Sequence, residues 1–165
     1  MKILFIQNES SKNFYGGVEY HVKNIRSKLE DHCVESLEIS FDNLKGFRIF
    51  GHKLFFPKKL HNIILNINPD IIHLHGVSST IVMSTFYYIK RIKSLINVKF
   101  IYTPHFHPFK FHKRPKIAKF FFNYLIKKNI KYVDKLVCLT YEEKKYFINI
   151  FNPKKISIIP NGINI

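Results

Sequence analysis

Short apolar runs alternate along this chain with longer stretches whose apolar residues recur at helical spacing. Residues 2–7 form an apolar, partly β-branched run that predicts a buried strand. Val18, Val22, Ile25 and Leu29 repeat three or four apart, which predicts an amphipathic helix over 18–30. Residues 34–41 alternate apolar and polar and predict a second strand. A short helix is expected over 57–66, opened by Pro57, and a strand over 71–75 follows the stop at Pro69-Asp70. The pattern continues with a helix over 79–95, a strand over 99–103, a helix over 116–131 and a strand over 135–139. Thr140 and Glu143 stand at capping-box spacing, so a helix is expected from 141 to about 151. A final strand over 156–159 is closed by Pro160-Asn161-Gly162.

Strands that alternate with helices call for a parallel sheet covered on both faces. Right-handed crossovers then give an α/β fold, a Rossmann-like, doubly wound parallel sheet. In such sheets ligands gather beyond the carboxyl ends of the strands. Those loops fall here at 8–17, 76–79, 104–115 and 160–163, and the distinctive residues lie in them.

Length and composition narrow the class. A chain of 165 residues makes one domain, taken as 1–165, and 46% apolar content excludes a disordered chain. Cys33 and Cys138 stand at no metal or redox spacing and read as free thiols. The opening run breaks at Gln7 into polar residues, too short for a leader, and no stretch is long enough to span a membrane. The expected location is cytoplasmic. Formal net charge is +16, and it is unevenly placed: between Asn43 and Val133 seventeen Lys and Arg face a single acid, Asp70. A field of one sign attracts polyanions such as an anionic membrane, nucleic acid or a diphosphate.

Four motifs carry candidate chemistry. Gly16-Gly17 precedes the first helix, where a bare backbone and free N–H groups suit an anion. It is neither the three-glycine dinucleotide fingerprint nor a Walker loop. Alternation puts His73 and His75 on one face of their strand, just before Gly76. His105 and His107 follow Thr103-Pro104 at the end of the next strand, and His105 has the best functional placement. No metal is expected, because a firm site needs a carboxylate or Cys nearby and Asp70 stands at the far end of its strand. Asn161-Gly162 suits a tight turn.

The ordered set of Met1-Lys2-Ile3-Leu4-Phe5-Ile6, Gly16-Gly17-Val18-Glu19, Pro69-Asp70-Ile71-Ile72-His73-Leu74-His75, Thr103-Pro104-His105 and Ile158-Ile159-Pro160-Asn161-Gly162 resembles the N-terminal, acceptor-side domain of family 4 glycosyltransferases of GT-B fold. The resemblance covers essentially the whole chain and implies half of a GT-B enzyme, with the C-terminal donor-binding domain as a partner on the same or a separate chain. It implies that Gly16 and Gly17 flank the donor diphosphate and the acceptor, that His105 meets the donor sugar near the reacting carbon, and that His75 and Gly76 line the cleft. Asn161 and Gly162 would lie on the hinge side. The implied reaction is a retaining hexosyl transfer from a nucleotide-sugar, with no cofactor and no metal. The isolated chain is expected to be inactive, because the groups that clamp the diphosphate belong to the other domain.

Residues 106–133 interleave Phe109, Phe111 and further aromatics with Lys110, Lys113, Arg114, Lys116, Lys119 and more lysines. In a helix, Phe121, Leu125, Lys128 and Tyr132 would share one face, and Ile117, Phe120 and Tyr124 another. The surplus of rings and cations suits an anionic membrane surface, with a lipid-linked glycan acceptor and a peripheral position at the inner face of the cell membrane. Residues 44–60 extend that surface. The rival reading is a basic nucleic-acid-binding module or a non-enzymatic Rossmann-like module. No helix-turn-helix, zinc-finger, RNP or KH signature supports nucleic acid.

Overall fold

In the computed structural model the described residues are 1–10, 16–44, 47–49, 52–54, 56–77, 79–107, 119–120 and 122–161. Six strands form one parallel sheet: β1 (Lys2–Ile6), β2 (Glu35–Ile39), β5 (Ile71–His75), β6 (Lys99–Thr103), β7 (Lys135–Cys138) and β8 (Ile156–Ile158). Their spatial order is β2-β1-β5-β6-β7-β8. All five pairings are parallel, with Leu4 opposite Ile72 and His75 opposite Thr103. Every expected sheet strand is present. The short pair β3 (Phe47–Ile49) and β4 (His52–Leu54) was not expected and forms a separate antiparallel ribbon.

The direction of each crossover decides which face its helix covers. The chain leaves β1 through α1 (Gly17–Asp31) toward β2, and afterwards moves the opposite way from β5 to β8. Right-handed connections therefore put α1 on one face and the later helices on the other. The packing agrees. Ile3, Phe5 and Val22 form a small cluster under α1, with Ile25, Leu29 and Ile71 against it. Leu4, Ile6, Ile72, Leu74, Phe100 and Tyr102 point the other way into the main core. There they meet α2 (Pro57–Ile67), α3 (Thr80–Leu95) and α4 (Tyr141–Phe147) through Leu60, Ile64, Phe86, Ile89 and Phe147.

Helix ends follow local chemistry. Ser79 caps α3 by accepting from Val82 N–H at 3.4 Å, and Pro57 opens α2. Helix α1 closes with Cys33 left-handed (φ 56°) and Val34 N–H donating to Leu29 C=O at 3.1 Å, a Schellman closure without glycine. Helix α4 ends at Phe147, earlier than expected, before a turn and the 3-10 segment Pro153–Lys155. The segment expected as one helix over 116–131 contains a π-helical stretch, Phe122–Lys127, followed by the 3-10 turn Ile130–Tyr132. Among its described residues Phe122, Ile126 and Ile130 are buried, Leu125 and Tyr132 half-buried, and Phe120, Tyr124 and Lys128 exposed. Apolar residues recur on several sides of this segment, so periodicity selects no single stripe. No helix among the described residues is long and apolar enough to cross a membrane.

Candidate functional site: a histidine cluster at the sheet switch point

Strand order reverses direction between β1 and β5, because the chain builds outward from this pair on either side. At such a point the loops beyond the strand ends diverge and leave a crevice. The crevice here lies between the start of α1 and the ends of β5 and β6. Gly16 is the extended N-cap of α1 and makes no side-chain cap hydrogen bond. Gly17 is the exposed first residue of the helix, and a Cβ there would meet nothing within 4 Å. The first amides of α1 have no intrahelical partners, and the helix dipole favours negative charge beside them.

Strand alternation places Phe5, His73 and His75 together on the α1 face, as expected for the two histidines. The His73 and His75 rings are 4.1 Å apart, and Phe5 lies 5.4 Å and 5.9 Å from them. His73 Nε2 is 2.8 Å from Thr103 Oγ1 on the neighbouring strand. Gly76 then turns the chain at φ 95°, a left-handed value that L side chains rarely adopt, and its N–H donates to Thr103 C=O at 3.0 Å. Past β6, the buried Pro104 leads to His105, itself left-handed at φ 51°. This unusual backbone aims the ring back over β5, with His105 Nε2 3.1 Å from His75 Nδ1.

A fourth histidine joins them. His21 stands in the second turn of α1, with ring centroids 5.6 Å from His75 and 5.3 Å from His105, edge-on to both. Sequence reasoning did not single it out. The signal available was its spacing four residues after Gly17, which puts both on one side of the helix.

Burial governs the charge of this cluster. It pushes His73 down to about 3, helped by the nearby His21 and His105 rings, and pushes His105 down to about 3, helped by His21. His75 falls well below its usual value by burial and by repulsion from its three neighbours, and His21 is lowered by burial. The rings are therefore neutral near pH 7. They can donate or accept hydrogen bonds to sugar hydroxyls, and they offer no positive charge to a diphosphate.

The backbone after His105 is held from α4. Thr140 caps that helix as expected, accepting from Glu143 N–H at 3.2 Å. The Glu143 carboxylate does not close the reciprocal half of a capping box. It accepts instead from Leu139 N–H at 2.6 Å and from Phe106 N–H at 2.5 Å. Burial raises the Glu143 carboxyl and these two amides pull it partly back. Glu143 was read from sequence only as a capping residue, since its partner Phe106 is 37 residues away.

The remaining candidates divide into two groups. Asn161 is exposed beyond the end of β8, on the same sheet edge as Gly16 and His105 but two strands from β6. Lys119 is half-buried beside Phe120. The exposed rings of Phe120 and Tyr124 lie parallel at 6.0 Å, with Lys128 Nζ 5.2 Å over Tyr124. Gly162, Phe109, Lys110, Phe111, Lys113, Arg114 and Lys116 lie outside the described residues.

No curated protein matches the sequence. The family model of Glycosyltransferase Family 4 matches residues 15–165, a span that takes in the α1 N-terminus, all four clustered histidines and the last strand. With the six-stranded Rossmann-like sheet and its switch-point crevice, that match settles the family: the chain belongs to Glycosyltransferase Family 4 and is a glycosyltransferase module.

Proposed function

We propose that this module forms the acceptor side of a GT-B enzyme that moves a sugar from a nucleotide-sugar to a lipid-linked or membrane-associated glycan. The observation that carries the reading is the juxtaposition of His105 and His75 with His21 on α1, beside the N-terminus of that helix. Glycosyl transfer needs a departing diphosphate stabilised and an acceptor hydroxyl positioned. The amides at Gly16 and Gly17 suit a phosphate oxygen, and neutral His105 suits a hydroxyl of the transferred sugar. Full charge on the leaving group calls for cations from a partner domain, because the imidazoles here supply none. Asn161 and Gly162 would then lie toward that domain. In the two-domain enzyme, His105→Ala should lower kcat by about 10²-fold or more while the acceptor KM changes little. A change confined to acceptor KM would reassign His105 to acceptor binding.

Membrane attachment belongs to the same reading. The exposed Phe120 and Tyr124 rings with Lys128, next to a segment rich in Lys and Phe, support an interfacial contact at the inner face of the membrane. Each cation near an anionic leaflet contributes about 1 kcal/mol. Neutralising Lys110, Lys113, Arg114 and Lys116 together should release the protein from anionic vesicles in co-sedimentation without unfolding it. Equal pelleting with neutral and anionic vesicles would remove the membrane from the proposal, and tighter binding to single-stranded nucleic acid would favour the rival module.

A further inference from the structure

Three imidazoles carried by three separate elements converge in the crevice. One ring nitrogen from each of His21, His75 and His105 lies within 4.8 Å of the other two. The His75 Nδ1 and His105 Nε2 atoms are 3.1 Å apart. Two nitrogens on one tetrahedral zinc, each bound at ~2.0–2.1 Å, stand about 3.4 Å from each other, so this pair is close to ligand spacing. His75 is 1% exposed, so its ring is held at the centre of the group, with the Nδ1 that faces His105 as the atom placed to ligate.

We propose that His21, His75 and His105 form a binding site for a late first-row divalent transition ion, with zinc as the reference case and the fourth position left to water or an anion.

The donor set decides the class of ion. It holds three nitrogens and no carboxylate, which suits zinc, cobalt, nickel or copper and disfavours magnesium and calcium. Three imidazoles with an open fourth position are a sufficient zinc set. Sequence reasoning set a metal aside for want of a carboxylate or Cys; His21, brought in from α1, supplies the third ligand instead.

Preorganisation comes from the elements. His75 ends a central strand, His105 is fixed by Pro104 before it and by the Glu143 hold on Phe106 after it, and His21 rides on α1. His73, packed against His75 with its ring tilted by 40° and bonded to Thr103, restrains the central ring from behind. An ion bound here uses the His105 lone pair. It would therefore exclude the sugar contact assigned to that residue and act as an inhibitor of transfer, not as its cofactor.

The test reads binding alone, so its failure is separate from any failure of the acceptor-side reading. Cys33 is an exposed free thiol and a rival zinc ligand, so tag-free Cys33→Ser protein serves as the parent. It is titrated with zinc chloride by calorimetry and with cobalt chloride by visible absorption. The expected result is one ion per chain, four-coordinate cobalt bands, and no displacement by excess magnesium. His21→Ala and His105→Ala should each weaken binding by at least about tenfold, and His32→Ala, at an exposed position, should not. His21 and His105 are half-buried, and circular dichroism checks that both variants remain folded. Absence of saturable binding, or affinity in either cluster variant equal to that of the parent, overturns the proposal.

Discussion

The two faces of the sheet have been given different work. One face is closed by α2, α3, α4 and the segment around Phe122, and it is almost wholly apolar: Leu4, Ile6, Ile72, Leu74, Phe100 and Tyr102 disappear beneath them. The other face carries α1 and only a small apolar cluster of Ile3, Phe5 and Val22. Toward the carboxyl ends of the strands that second face turns polar, with His73, His75 and Thr103 in line. The same alternation that sends Leu74 into the core sends its neighbours His73 and His75 toward the crevice. Stability is concentrated on the first face. The second face accepts buried polar groups that stability alone would not select, and groups of that kind are where binding and catalysis are expected.

A matched pair of truncations tests this division and has the largest expected effect. Phe86 is fully buried and meets Tyr102 edge-on at 5.0 Å in the main core. Phe86→Ala should cost about 3–5 kcal/mol, because the cavity is walled by apolar side chains that cannot collapse fully. Phe5 is equally buried but lies beside His73 and His75. The space left by Phe5→Ala borders polar rings that water can solvate, so its cost should fall toward the lower end of the same range. Urea unfolding of both variants makes the comparison. Equal losses would show that the α1 face contributes to stability as strongly as the other.

Acid should act on the histidine face first. Burial holds His73 and His105 at about 3 when folded, below the ordinary value of 6.5, so the unfolded chain binds more protons between those limits. Their contribution to stability is complete above pH 6.5 and is lost as pH falls toward 3. Each imidazole should remove roughly 1 kcal/mol per pH unit within that window, or about 2–3 kcal/mol by pH 4.5. Unfolding in urea at pH 7 and pH 4.5, with a chelator present, measures the loss. In His105→Gln the pH slope should fall by the equivalent of about one proton. An unchanged slope would mean that His105 titrates alike in the folded and unfolded chain.

The same contrast explains what the sequence disclosed. Five of the six sheet strands announced themselves as short apolar runs and β2 by its alternation, and the helix periodicity of Val18, Val22, Ile25 and Leu29 marked α1. Those signals are local, and burial imposes them residue by residue. The β3–β4 ribbon escaped notice because three-residue strands offer too few alternations. The buried stripe of the 122–132 segment was hidden by apolar residues on several sides. His75 and His105 could be found because each sits at the end of a strand. His21 could not, since its meaning depends on rings brought from β5 and β6, 54 and 84 residues further along the chain.

Glu143 offers the smallest of these effects and the finest test of how one face serves the other. Its helix belongs to the core side, yet its carboxylate reaches the loop that presents His105. Two backbone donors, Phe106 N–H and Leu139 N–H, depend on it. Gln in its place keeps the shape and one acceptor oxygen but turns the other position into a donor, which then faces an N–H. One amide should be left unsatisfied, at a cost of about 1–3 kcal/mol in urea unfolding. Part of that cost is offset, because burial already disfavours the charged carboxylate and Gln is neutral. The left-handed backbone of His105 (φ 51°) is held by this bond on its carboxyl side, so releasing Phe106 should let the ring drift from His75. In the two-domain enzyme Glu143→Gln should therefore lower kcat with little change in acceptor KM, and Glu143→Asp, too short to reach both amides, should recover little of it. Loss of stability with kcat unchanged would confine Glu143 to the core.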